Sequence, residues 1–221
     1  MNKQTGFTLI ELAIVLVIIG LLLGGVLRGQ ELINSAKVKN MANDFRSIPV
    51  YIYGYQDKFK ALPGDDKAAD AHVGAPVANI GNGNGALEGS WFNNKAATSE
   101  AYRFWQHVRL ANLAVGPTDD ANADWRPTNA DGGSIGIMAG TNVAASAAIK
   151  DGANNAIKGS YIICSQGILG KYVTQLDVNM DDGNVATGSM LASKTNTPAL
   201  ALTADTGTVD PAASYIVCYG V

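Results

Sequence analysis

Residues 7–27 read FTLIELAIVLVIIGLLLGGVL, an apolar run whose only charge is Glu11. As an α-helix this run would be about 32 Å long, against about 30 Å for the hydrocarbon core of a bilayer. Further on the pattern changes. Val38, Met41, Phe45, Ile48, Ile52, Tyr55 and Phe59 recur at spacings of three and four, with Lys39, Asn43, Arg46 and Asp57 opposite. That is the apolar stripe of an amphipathic helix. The two patterns join into one helix predicted over residues 7–59, kinked near Pro49, which cannot donate to the Phe45 carbonyl. Its length would be about 80 Å. The sequence Leu62-Pro63-Gly64-Asp65-Asp66 stops it.

The remainder alternates turns with short elements. Gly81-Asn82-Gly83-Asn84-Gly85 is a turn or a cation-holding loop; it lacks the strand, helix and lysine that a phosphate-cradling loop needs. A helix is predicted over residues 99–113, with Thr98 as N-cap, Glu100 in its first turn and Tyr102, Trp105 and Val108 on one face. Trp105 reads as a core anchor. After Gly116, apolar runs at 135–139, 161–164 and 215–218 fit strands. The last two are YIIC and YIVC, an echo that suggests neighbouring strands with Cys164 and Cys218 side by side. A bond between them would contribute up to about 4 kcal/mol by loop-closure entropy. Two reduced core thiols are the alternative.

Charge is distributed unevenly along these elements. Residues 28–60 carry six basic and three acidic side chains, and residues 61–221 carry nine basic and fifteen acidic. The body is thus at −6 within a chain of net charge −3, which argues against a nucleic-acid partner held through phosphates. Apolar residues at 47% exclude intrinsic disorder. Two cysteines exclude a zinc site of four thiolates. Lys3 is the only basic side chain before the apolar run, and Arg28, Lys37, Lys39 and Arg46 follow it. A positive-inside count alone would keep the body cytoplasmic, but long domains translocate largely regardless of charge, and the cysteines favour an oxidising compartment.

A carboxylate within hydrocarbon costs about 2.5–3.5 kcal/mol on insertion scales, so Glu11 needs a purpose. Gly6 followed by FTLIELAIVLVIIG resembles the amino-terminal signature of type IV prepilins and of the pseudopilins of type II secretion. The resemblance is close over about the first 30 residues. It implies that a prepilin peptidase cuts between Gly6 and Phe7 and methylates the new amine of Phe7, so that the apolar run is retained. It also implies that Glu11, fifth after the cut, pairs with the Phe7 amine of a neighbouring subunit during assembly. Gly20 and Gly24, and Gly25 and Gly29, are four apart and offer small-residue faces for helix packing. The proline many type IV pilins carry at the position of Arg28 is missing. Pilins often tie their carboxyl-terminal region with a disulfide, and the 164–218 spacing is similar.

The resulting expectation is an α+β, pilin-like chain. It comprises a leader (1–6), a membrane and filament-core helix (7–27), its amphipathic continuation (28–60) and a globular domain (61–221), with the long helix packed on an antiparallel sheet. The expected function is structural: a pilin or pilin-like subunit of a type IV pilus or related filament. A pseudopilin, or a minor pilin or anchored adhesin that binds a surface ligand, is the alternative. The implied partners are copies of itself and other pilins, prepilin peptidase, an inner-membrane platform with a cytoplasmic ATPase, and membrane lipid before assembly. The implied location is the inner membrane with a cytoplasmic amino terminus, then a surface pilus or periplasmic pseudopilus. No enzymatic activity is expected, because His72 and His107 have no ligand spacing and no nucleophile is singled out.

One stretch has metal-binding chemistry. LDVNMDDG places oxygen side chains at Asp177, Asn179, Asp181 and Asp182. An EF-hand is excluded, since the glycine is one place late and Gly188 stands where a glutamate is needed. A turn with an Asp-Gly bend is the plain alternative. No cofactor is otherwise implied; calcium stays open, because some pseudopilins bind it. LPGD, WQH and DDG stretches similar to those here occur in a group of prepilin-like proteins, which suggests shared structural turns.

Overall fold

The structure, a computed structural model, describes residues 8–92, 99–143 and 145–221. It divides into two units, Met1–Lys37 and Val38–Val221. In the first unit, the described residues beyond Thr8 all belong to helix α1 (Leu9–Phe59). This helix is long and apolar enough to cross a membrane.

In the second unit α1 runs unbroken through Pro49. Val38, Met41, Phe45, Ile48, Ile52 and Tyr55 are buried and Phe59 is half-buried, whereas Lys39, Asn43, Arg46 and Asp57 are exposed. The spacing-derived stripe is therefore the packed face. Lys60, in a left-handed conformation at φ 54°, follows the last helical turn.

The central sheet is antiparallel with strand order β1-β3-β6-β4, formed by β1 (Ile135–Ala139), β3 (Tyr161–Leu169), β4 (Met190–Ser193) and β6 (Ser214–Gly220). Alternation along the strands sorts their side chains onto two faces. Ile137, Ile163, Val217 and Met190 join the stripe of α1, together with Phe104 of α3 (Glu100–Leu110) and Tyr172 of α4 (Gly170–Met180), in the larger core. Met138, Ile162, Ile216 and Leu191 form a second core with Trp91, Ile149 and Ile157. Both faces are covered, which is why these strands read as continuous apolar runs. The second cover includes a short parallel ladder of β2 (Ile149–Lys150) with β5 (Leu202–Thr203). A short helix α2 (Ala69–Val73) lies between α1 and α3 in sequence.

Three local expectations are corrected. First, α3 begins at Glu100 with Ser99 in the N-cap position, and Thr98 lies outside the described residues. Second, α3 buries nearly its whole circumference instead of one face. Arg103 donates to the carbonyls of Ile80 and Ala78, Gln106 to that of Thr118, and Arg109 to those of Pro117 and Trp125. These bonds let polar side chains be buried at little penalty. Third, LDVNM is the last part of helix α4, where short strands and turns were expected. The bend begins only at Asp181.

Candidate functional site

In the first unit, Thr8 and Glu11 form a reciprocal capping box. The Thr8 N–H and hydroxyl both donate to Glu11 Oε2 at 2.7 Å, and the Glu11 N–H donates to Thr8 Oγ1 at 3.3 Å. This arrangement satisfies amides at the exposed start of α1. Its T-x-x-E signature was present in the sequence but was overshadowed by the apolar run. Large apolar side chains from Leu9 to Leu27 are exposed, including the consecutive set Ile14, Val15, Leu16, Val17, Ile18 and Ile19, so every face of this stretch is apolar, with Glu11 its one charge. A Cβ at Gly20, Gly24, Gly25 or Gly29 would meet nothing within 4 Å. The chain's own packing therefore does not require glycine at any of these positions. Gly6 and Phe7, the expected processing residues, lie outside the described residues.

In the second unit, the strand echo brings its cysteines together. Cys164 and Cys218 are direct partners in the β3–β6 ladder and form a disulfide, with Cα atoms 4.0 Å apart. Both are fully buried in the second core.

The LPGD and WQH stretches also meet. Gly64 N–H donates to His107 Nδ1 at 2.9 Å, leaving Nε2 to donate to the Asn79 carbonyl at 3.0 Å. Burial lowers the His107 pKa, so the ring stays neutral. Asp66 accepts from the Tyr55 hydroxyl, the Ala68 N–H and His72 Nδ1. Burial pushes its carboxyl up, but the bonds from His72, Ala68 and Tyr55 outweigh that and hold its pKa below the ordinary value.

Asp65 fills the glycine-rich loop. Gly83 and Asn84 N–H groups donate to its Oδ1 at 2.6 and 3.1 Å, and Gly85 N–H donates to Oδ2 at 2.7 Å. Gly83 and Gly85 have φ of 74° and 84°, which turns successive amides inward. The loop is thus a nest for an internal carboxylate, and its inward amides are the wrong polarity for a cation. Glu100, from the first turn of α3, accepts Asn82 and Glu88 N–H groups on the same loop. These bonds tie the LPGD, glycine-loop and WQH segments into one structural network.

The acidic stretch splits. Asp177, Asp181 and Asp182 present carboxylate oxygens within 4.8 Å of one another. Asn179 does not join them: it is exposed, and its amide donates to the Gln175 carbonyl one turn back along α4. The helix accounts for this, because residues 177 and 179 lie about 200° apart around its axis. Burial, aided by the charges of Asp182 and Asp181, raises the Asp177 pKa to about 6.

Taken together, these features define an α+β protein with an apolar, exposed amino-terminal helix and a disulfide-tied body. Residues 1–27 match the family model described as the prokaryotic N-terminal methylation motif. The match supports the type IV prepilin and pseudopilin family, as the motif predicted. No curated protein and no solved structure gives a significant match to the chain.

Proposed function

We propose that this chain is a structural subunit of a type IV pilus or related filament. Prepilin peptidase would cleave it between Gly6 and Phe7 and methylate Phe7. The observation that carries this reading is the exposure of every face of α1 from residue 9 to residue 27, directly within the methylation motif. Apolar surface on that scale needs lipid before assembly and neighbouring helices after it. Glu11 would then exchange part of its local hydrogen bonding with Thr8 for the Phe7 amine of a neighbouring subunit, because an unpaired carboxylate in a dry helix bundle is strongly penalised. Gly20, Gly24 and Gly25 would allow the close approach of those helices. The subunit does no chemistry of its own, and an inner-membrane platform with a cytoplasmic ATPase would extract it from the membrane.

Mass spectrometry of the amino-terminal peptide, comparing sheared filaments with membranes, tests this directly. N-methylated Phe7 in the sheared material is the expected result. Processed protein confined to membranes would point instead to a pseudopilin or a rare minor subunit. An intact Met1 leader in both fractions would rule out prepilin processing.

A further inference from the structure

Asp177 lies in the last turn of α4, and none of its surface is exposed. Its Oδ1 accepts the Gly183 N–H at 2.6 Å, but Oδ2 is buried and accepts no hydrogen bond. A buried carboxylate oxygen without a donor is costly and calls for a partner. Asp181 and Asp182 are each fixed beside it. Asp181 Oδ2 accepts the Ser189 and Met190 N–H groups at 2.6 and 2.9 Å, while Asp182 accepts the Asn184 N–H and the Thr187 hydroxyl. Gly188 makes room for this, since a Cβ there would stand 1.9 Å from Asp181 Oδ2. Among the described residues, no Lys or Arg forms a salt bridge with any of the three.

We propose that Asp177, Asp181 and Asp182 bind one calcium ion, which fastens the C-terminal end of α4 to the start of β4. An all-oxygen, carboxylate-rich donor set selects a hard cation. Calcium–oxygen distances of about 2.3–2.6 Å let one ion bridge oxygens up to about 5 Å apart, which includes the 4.8 Å limit found here. Magnesium, at about 2.0–2.1 Å, requires a tighter octahedron and gives up its water reluctantly. The carbonyl pole of α4 adds partial negative charge on the same side. The ion would supply Asp177 Oδ2 with its missing partner and offset the mutual repulsion of the three carboxylates. This inference is independent of the filament reading.

The test uses the full chain in detergent, stripped with chelator and then given calcium or magnesium chloride. Equilibrium dialysis should find one calcium per chain. The unfolding midpoint should rise by about 5–10 °C at a calcium concentration about 100 times Kd. Asp182→Asn, a change at an exposed position, should weaken calcium binding at least tenfold, and Asp177→Asn should abolish the midpoint shift. No bound calcium, an unchanged shift in Asp182→Asn, or an equal response to magnesium would each overturn the assignment.

Discussion

Between residues 9 and 27 α1 exposes its apolar side chains on every face, whereas from residue 38 to residue 55 the same helix buries a stripe of seven and leaves Lys39 and Arg46 in water. A single backbone conformation thus serves two different environments. The second stretch is stabilised within the chain, by the sheet and by α3. None of the described residues covers the first stretch; under the proposed function its stable environment is a bilayer or other copies of the helix. The glycines follow the same division. A Cβ at Gly54 would stand 3.3 Å from Leu113 Cδ2, while one at Gly20, Gly24, Gly25 or Gly29 would meet nothing within 4 Å.

The contrast is broken most severely at Glu11. Under the proposed function, Glu11→Ala should abolish filament assembly while leaving membrane insertion and the folded body intact, read out by shearing yield against membrane content. Unchanged filaments would show that Glu11 serves only the capping box with Thr8. A smaller but still large effect is expected from Phe45, which is buried against Tyr219 at a ring separation of 6.2 Å. Phe45→Ala should destabilise the body by about 3–5 kcal/mol in chemical unfolding. Its counterpart Leu16→Ala, on the exposed stretch, should change that stability by less than about 0.5 kcal/mol.

A more modest effect than that of Phe45→Ala concerns pH. Asp44 sits on the buried stretch in a crevice with Ile48, Trp105 and Arg109, and burial raises its pKa to about 6. A raised carboxyl binds its proton more tightly when folded, so its contribution is fully present below about pH 4 and is lost as pH rises through about 6. Asp44→Asn should remove that decline, worth about 1–2 kcal/mol after allowance for partial exposure. A pH–stability profile of the variant parallel to that of the natural chain would show that Asp44 remains hydrated.

Much of this architecture was legible because it depends on local periodicity. The 3.6-residue rhythm gave six of the seven buried residues of α1, missing Ala42 and adding the half-buried Phe59. The YIIC and YIVC echo placed two central strands side by side, and their antiparallel register put Cys164 opposite Cys218. The misses arose where local signals were weak or where distant segments complete a site. Tyr172, Val173 and Leu176 carried a helical spacing for α4, but it was short and flanked by strand-like runs. The burial of Arg103, Gln106 and Arg109 depends on carbonyls from other loops, which no feature of α3 alone reveals.

The sequence by itself determined the N-terminal methylation motif, the apolar helix and strands β1, β3 and β6, because each is written in consecutive residues with a fixed period or spacing. Only the tertiary structure decided what the acidic and glycine-rich segments do. Asp65 fills the nest of residues 83–85, so a loop open to a cation reading is already occupied by the protein's own anion. Asp177 is turned inward by α4 and meets Asp181 and Asp182 across the following bend, while Asn179, two residues on, faces outward. Whether a carboxylate finds amides, other carboxylates or solvent depends on the direction in which the folded backbone presents it.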